Sequence, residues 1–438
     1  MSSDARGNPV GAASPAALVH AEQALWRMCS FFDAPLKDID AAEAQAPKWM
    51  LPHVMRAAFL LTLTEPSLLP GVRVALDRAH ALSDSACARE RAHLGAVQRC
   101  AAGDWHGACA AWDAILVEHP RDLYALQWAH LFDFYRGDAR NLRHRVARVL
   151  PEWPRDDALR PYLLGMYAFG LEECNRYEEA EAVGLEAVSG TAQVPWATHA
   201  VAHVMEMQGR YDDGIAWLRG RAADWSVGNG FSVHHWWHLA LFHLEALDTP
   251  AALALYDAQI QAGPEAITLQ RLDAASLLWR LQLLRVDVGP RWEALADGWP
   301  MTQGVGHSAF NDAHAMMVLT AQQRFADARD LLNHAAARSS GVDSNATMTR
   351  EVGLPLMRGL LAFAQERWAD AVKLLAPLRE RAHRFGGSHA QRDVIDQTLL
   401  AAAGRAGERS LARALINERR LAKPATPLTE HWARSCDV

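Results

Sequence analysis

Two stretches of this chain repeat one another at a fixed offset, and that offset limits the fold more than any other feature. ECNRYEEAEAVGLEAV and EMQGRYDDGIAWL align on Arg176-Tyr177 and Arg210-Tyr211, 34 residues apart. A recurrence of that length is the mark of a helical hairpin that cannot bury its apolar face alone and must stack on copies of itself. Starting one unit at Pro161 places Tyr177 at the turn, position 17, and Ala168, Ala180 and Ala187 at positions 8, 20 and 27. Those are the places where two helices approach closely enough to admit only small residues. The next unit, from Pro195, has Val201 and Ala202 at positions 7 and 8.

The turn recurs less strictly elsewhere. QQRFADARDLL and QERWADAVKLL put Phe325 and Trp368 at the turn, with Ala328 and Ala371 three residues later. CAAGDWHGACAAW supplies a copy around Trp105, and VHHWWHLALFHLEALDTPAALALYD supplies another. A further pair is expected between Asp273 and Leu295, which makes at least six, irregularly spaced. Alternating Val/Ile/Thr runs are absent, and Ala, Leu, Arg and Glu dominate, all good helix formers. The fold class that follows is all-α: an α-α superhelix, or solenoid, of degenerate tetratricopeptide-like helical hairpins. The expected organisation is a divergent N-terminal helical cap over residues 1–90, a repeat array over 91–420 and a C-terminal tail over 421–438.

Composition narrows the function classes. A formal charge of −7 gives no basic excess for nucleic acid and no polybasic block for a membrane surface. The six cysteines are scattered without a CxxC, against both a disulfide framework and a thiolate zinc site. The opening MSSDARGNPVGAASPAALVH lacks the apolar core of a signal peptide, and VMRAAFLLTLT is far below spanning length. A soluble, cytoplasmic protein is expected, with oligomeric state open. GxGxxG and GxxxxGK[ST] are absent, so a nucleotide fold is unsupported. GGSHA at 386–390 lacks the final glycine and the preceding strand of a nucleophile elbow.

Histidine, by contrast, is unevenly placed. In the Pro195 unit His199, His203 and Glu206 take positions 5, 9 and 12, three positions that face the concave side of such an array. The following unit offers His234, His235, Trp237, His238 and Glu245, and the unit from Ala309 offers Asp312 and His314. One reading is a water-filled polar groove in which these side chains are merely solvated. A second is a divalent metal held by His199, His203 and Glu206, since an i, i+4 imidazole pair can bind one ion from one helix face. A third is acid–base chemistry by His203, Glu206 and His238, with His199, His235, Trp237, Asp312 and His314 around an organic ligand. In RFGGSHAQRDV the glycines free a sharp turn, Ser388 caps the next helix, and Arg392 and Asp393 stand in its first turns. Arg392 there either pairs with an acidic neighbour or closes the concavity on a carboxylate or phosphate.

Several long motifs then occur in order: KWMLPHVMRAAFLL, THAVAHVMEMQGRYDDGIAWL, HHWWHLALFHLE, LDAASLLWRL, FNDAHAMM and GGSHAQRDVIDQTLLAAA. Together they resemble the tetratricopeptide repeat protein 38 family over nearly the whole chain. The resemblance implies an all-helical repeat fold and no particular chemistry. Its motifs contain His199, His203, Glu206, His235, His238, Asp312, His314, Arg392 and Asp393. The expected function is a His/Glu/Asp/Trp-lined concave pocket that binds, and transforms, a small organic molecule. The alternatives are a scaffold that holds a peptide in the groove and a metal-dependent hydrolase or oxidase. By default the sequence calls for no cofactor, and a divalent metal is the one alternative it leaves open.

Overall fold

The computed structural model describes residues 2–423 and 426–438. Met1, Pro424 and Ala425, which belong to the segments read as N-terminal cap and C-terminal tail, lie outside the described residues. The chain is all-α. Its only strand pairing among the described residues joins Ser2–Ser3 to Pro9–Val10, apart from one isolated bridge between Phe32 and Asn229. No described helix is long and apolar enough to cross a membrane.

The hairpin turn is built the same way each time. Helix A ends, one residue enters the left-handed region, and the next residue caps helix B and donates its N–H five residues back. Arg176 reaches the Leu171 carbonyl at 2.9 Å, Arg210 the Met205 carbonyl at 2.8 Å, Arg324 the Leu319 carbonyl at 2.8 Å and Arg367 the Ala362 carbonyl at 2.9 Å. The same bond recurs from Asp104, Asp138 and Asp248. This is the six-to-one bond of a Schellman turn, and it satisfies a carbonyl that the helix end would otherwise leave open. Asn175, Gln323 and Glu366 supply the left-handed residue at φ 58, 57 and 59°, and Gly209 supplies it at 70°. The turn aromatics Tyr177, Tyr211, Phe325, Trp368 and Trp105 are each the first residue of helix B. Three residues on, Ala180, Ala328, Ala371 and Ala108 are fully buried, as the spacing requires.

Contacts divide the chain into two compact units. The first comprises 1–201 with 224–231, and the second 202–223 with 232–438. The division falls inside the Pro195–Met207 helix and not near residue 90. In the first unit consecutive helices pack as neighbours, Pro15–Ser30 on Leu36–Gln45, Leu51–Thr62 on Leu69–Ala81, and onward to Arg160–Glu172 on Tyr177–Gly190. In the second, Ser232–Glu245 packs on Thr268–Leu283, which packs on Ala309–Ala321, which packs on Leu354–Ala364. The path then returns. His389–Ala406 packs back on Thr268–Leu283, and Pro427–Ser435 packs on Ser232–Glu245. The segment read as a tail therefore carries a helix that closes this unit on its own early helices. The Trp279 indole N–H donates to Thr398 Oγ1 at 2.9 Å across that return.

Candidate functional site

The Pro195–Met207 helix is buried on all sides from Pro195 to Glu206. His203 is 0% and Glu206 3% exposed, so the stripe is not a solvated groove face. Within the second unit this helix delivers His203 and Glu206. The Ser232–Glu245 helix delivers His234 and His238, four residues apart on one face, and Thr268–Leu283 delivers Asp273, Ser276 and Arg280.

These groups form a line. Glu206 Oε2 lies 3.0 Å from His238 Nδ1. His238 Nε2 lies 3.2 Å from His234 Nε2. His234 Nδ1 lies 3.0 Å from both carboxylate oxygens of Asp273. An ionised carboxylate fixes the tautomer of the imidazole it touches, because Nδ1 then donates to it. The two Nε2 lone pairs are then turned toward each other, an arrangement that repels unless a proton or a cation sits between them. His203 adds a third imidazole, its ring centroid 4.5 Å from that of His238 at 61°. One nitrogen each of His203, His234 and His238 falls within 4.8 Å of the others. Two nitrogens on one tetrahedral ion stand about 3.3 Å apart when each bond is ~2.0–2.1 Å. The His234–His238 spacing matches that value.

Burial dominates the electrostatics. It pushes the Glu206 carboxyl up from its ordinary range, against the pull of the Lys423 and His203 charges. It pushes His238 well down, reinforced by His203, His234, His235 and Arg280. Both shifts favour the uncharged forms, and a neutral imidazole is the form that ligates. Trp237 frames the centre: fully buried, it stacks on His234 at 5.1 Å and 15° and donates its N–H to Ser276 Oγ at 2.8 Å. Its neighbour in sequence, Trp236, is partly exposed.

The other expected residues are placed as follows. His199 sits in the first unit, its ring 5.3 Å from Phe169, 5.2 Å from Trp196 and 5.0 Å from Phe231. His235 is fully buried and acts on His238 by charge. His314 faces the Phe310 carbonyl through Nδ1 at 2.8 Å, and burial pulls it down to about 4. Asp312 accepts the Gly306 N–H at 2.8 Å, and burial pushes it up to about 7 despite that bond. Neither residue makes a described hydrogen bond to the His203–His238 line. Ser388 caps the His389–Ala406 helix as expected, after Gly386 and Gly387 at φ 86 and 80°. Arg392 turns back to the Gly387 carbonyl. Asp393 instead joins Arg419 at 2.5 Å and Gln397 at 2.7 Å.

Three functional groups were not singled out by the sequence reading as site residues. His234 had been placed on the inner face but not assigned a role. Asp273 lies 39 residues from its imidazole partner and has no local signal. The third group is a buried ion cluster around Glu245, which accepts from Arg419 at 3.0 Å, Lys423 at 2.9 Å and Thr426 at 2.6 Å. A scan against protein-family models found no match to the chain.

Proposed function

We propose that this chain is a cytoplasmic helical-repeat protein, akin to the tetratricopeptide repeat protein 38 family, that holds a divalent metal ion on His203, His234 and His238. A small organic molecule binds at that centre and is transformed there. The ion would polarise a ligand oxygen or activate water, the chemistry shared by hydrolytic and oxidative centres of this ligand type. Glu206 and Asp273 serve as outer partners that orient His238 and His234.

The observation that carries the reading is the pair of Nε2 atoms 3.2 Å apart, each on an imidazole whose Nδ1 is held by a carboxylate. A packing or solvation role calls for no such convergence. Burial of His203 and Glu206 also favours a small ligand over a peptide laid along an open groove. The cysteines are unbridged, in keeping with a reducing compartment.

The test is elemental analysis of the full chain purified without chelator, followed by zinc titration. Close to one equivalent is expected, falling below one-tenth in His238→Ala and in His203→Ala while the helical circular dichroism is kept. A wild-type chain that takes up no zinc, cobalt or manganese, and whose melting temperature none of them moves, would falsify the metal reading. A single shared proton between His234 and His238 would then remain, as in acid–base chemistry.

A further inference from the structure

Beside the imidazole centre stands a cation with no counter-ion of its own. Arg280 is 1% exposed, and its Cζ lies 5.4 Å over the Trp237 ring that also carries His234. Its Nη atoms donate only to backbone carbonyls, those of Ser276 at 3.1 Å, Ala390 at 2.7 Å and Gln391 at 3.4 Å. Nε–H meets no acceptor among the described residues, and no described carboxylate lies within ion-pair distance. A buried guanidinium in that condition is costly unless something pairs with it.

The internal carboxylates are committed elsewhere. Those whose charge reaches Arg280 are Asp393, Glu206 and Glu245. Asp393 is held by Arg419 and Gln397. Glu245 is held by Arg419, Lys423 and Thr426. Glu206 is held by His238, and Asp273 by His234. Arg280 is the buried cation that none of these carboxylates pairs.

We propose that Arg280 holds the carboxylate of the small molecule bound at the imidazole centre, so that the substrate class is an organic acid. This rests on the preceding reading for the place of the ligand, not for the chemistry of the clamp. A guanidinium suits the task because its planar fork matches a carboxylate and stays charged when buried. Its charge acts on both His238 and His314.

The test titrates acetate, malonate and uncharged acetamide into the full chain, with and without zinc, by calorimetry and thermal melting. Acetate or malonate is expected to bind wild type and raise its melting temperature, and acetamide to do neither. Arg280→Met should weaken binding at least tenfold with its circular dichroism intact, and Arg280→Lys should retain an intermediate affinity. Equal binding by Arg280→Met, or acetamide binding as well as acetate, overturns the proposal. So does a lack of response of wild type to either acid. If Arg280→Met does not fold, Arg280→Lys decides: affinity unchanged from wild type overturns the clamp. Zinc uptake that fails while the anion response survives removes the metal reading alone. Zinc uptake that persists without an anion response removes the clamp alone.

Discussion

Among single residues, Asp312 gives the clearest consequence outside the imidazole line. Its carboxyl is buried with one N–H partner and titrates near 7 in the folded chain, against about 3.9 when unfolded. Between those values the unfolded chain has released the proton that the folded chain keeps. Stability therefore falls as pH rises from about 4 to about 7, by roughly 1.4 kcal/mol per unit at most, and levels off above. Asp312→Asn should flatten the urea-denaturation profile over that window, and parallel profiles for the two proteins would remove the effect. The sequence showed that Asp312 and His314 belong to a polar constellation. It did not show which partners they take, because two residues i and i+2 on a helix point to different sides: Asp312 accepts from Gly306 and His314 faces the Phe310 carbonyl. Likewise HHWWH contains the His234–His238 pair at the right spacing, but five consecutive large side chains hide which of them share a face. Asp273→Asn tests the partner that no local pattern reveals: the fold should persist while zinc affinity drops by about 10–100-fold.

At the level of the helical element, the turn was the most legible feature, because every bond that makes it lies within six residues. An Arg or Asp cap, an aromatic at the first helical position and a small residue three later are local requirements that a sequence can display. Two consequences follow from what the structure adds. Gln323 is exposed and takes φ 57°, a backbone region that side chains enter at a cost and glycine does not. Gln323→Gly should raise unfolding free energy by about 1 kcal/mol, read from the urea midpoint, and a loss would show that the side chain matters more than the backbone. Gly214 occupies the small position of the Tyr211–Gly220 helix. A Cβ there would stand 2.2 Å from Cζ of the fully buried Phe242 ring. Gly214→Val should thus cost about 1–3 kcal/mol through displacement of Phe242, and a neutral outcome would mean the two helices part freely.

On the scale of the whole chain, the sequence displayed the period of the array but not the return of its C-terminal helices, which depends on partners some 180 residues apart. Glu245 on one side and Arg419, Lys423 and Thr426 on the other meet only after the chain has doubled back, with Asp393 as the second carboxylate on Arg419. Burial by itself would push Glu245 up, yet Lys423 and Arg419 hold it low, and Arg419 and Lys423 hold Asp393 low in the same way. Two depressed carboxyl groups contribute stability that is present above about pH 4 and is lost as pH falls through and below that value. Removing the cation reverses the sign. In Arg419→Met, Asp393 and Glu245 remain buried with one partner fewer, so the change should cost about 3–5 kcal/mol at pH 7. Protonation then relieves the strain, and mild acidification from pH 7 to 4.5 should recover part of the loss. The measurement is the urea midpoint of both proteins at the two pH values, with hydrogen exchange on the Ser232–Glu245, Arg409–Ala422 and Pro427–Ser435 helices. Joint loss of protection in those three helices, with recovery on acidification, is expected if the ion cluster is what holds the returning chain. Protection that stays at the wild-type level in the variant would show that apolar packing alone closes this unit, and that the buried charges serve the neighbouring imidazole centre instead.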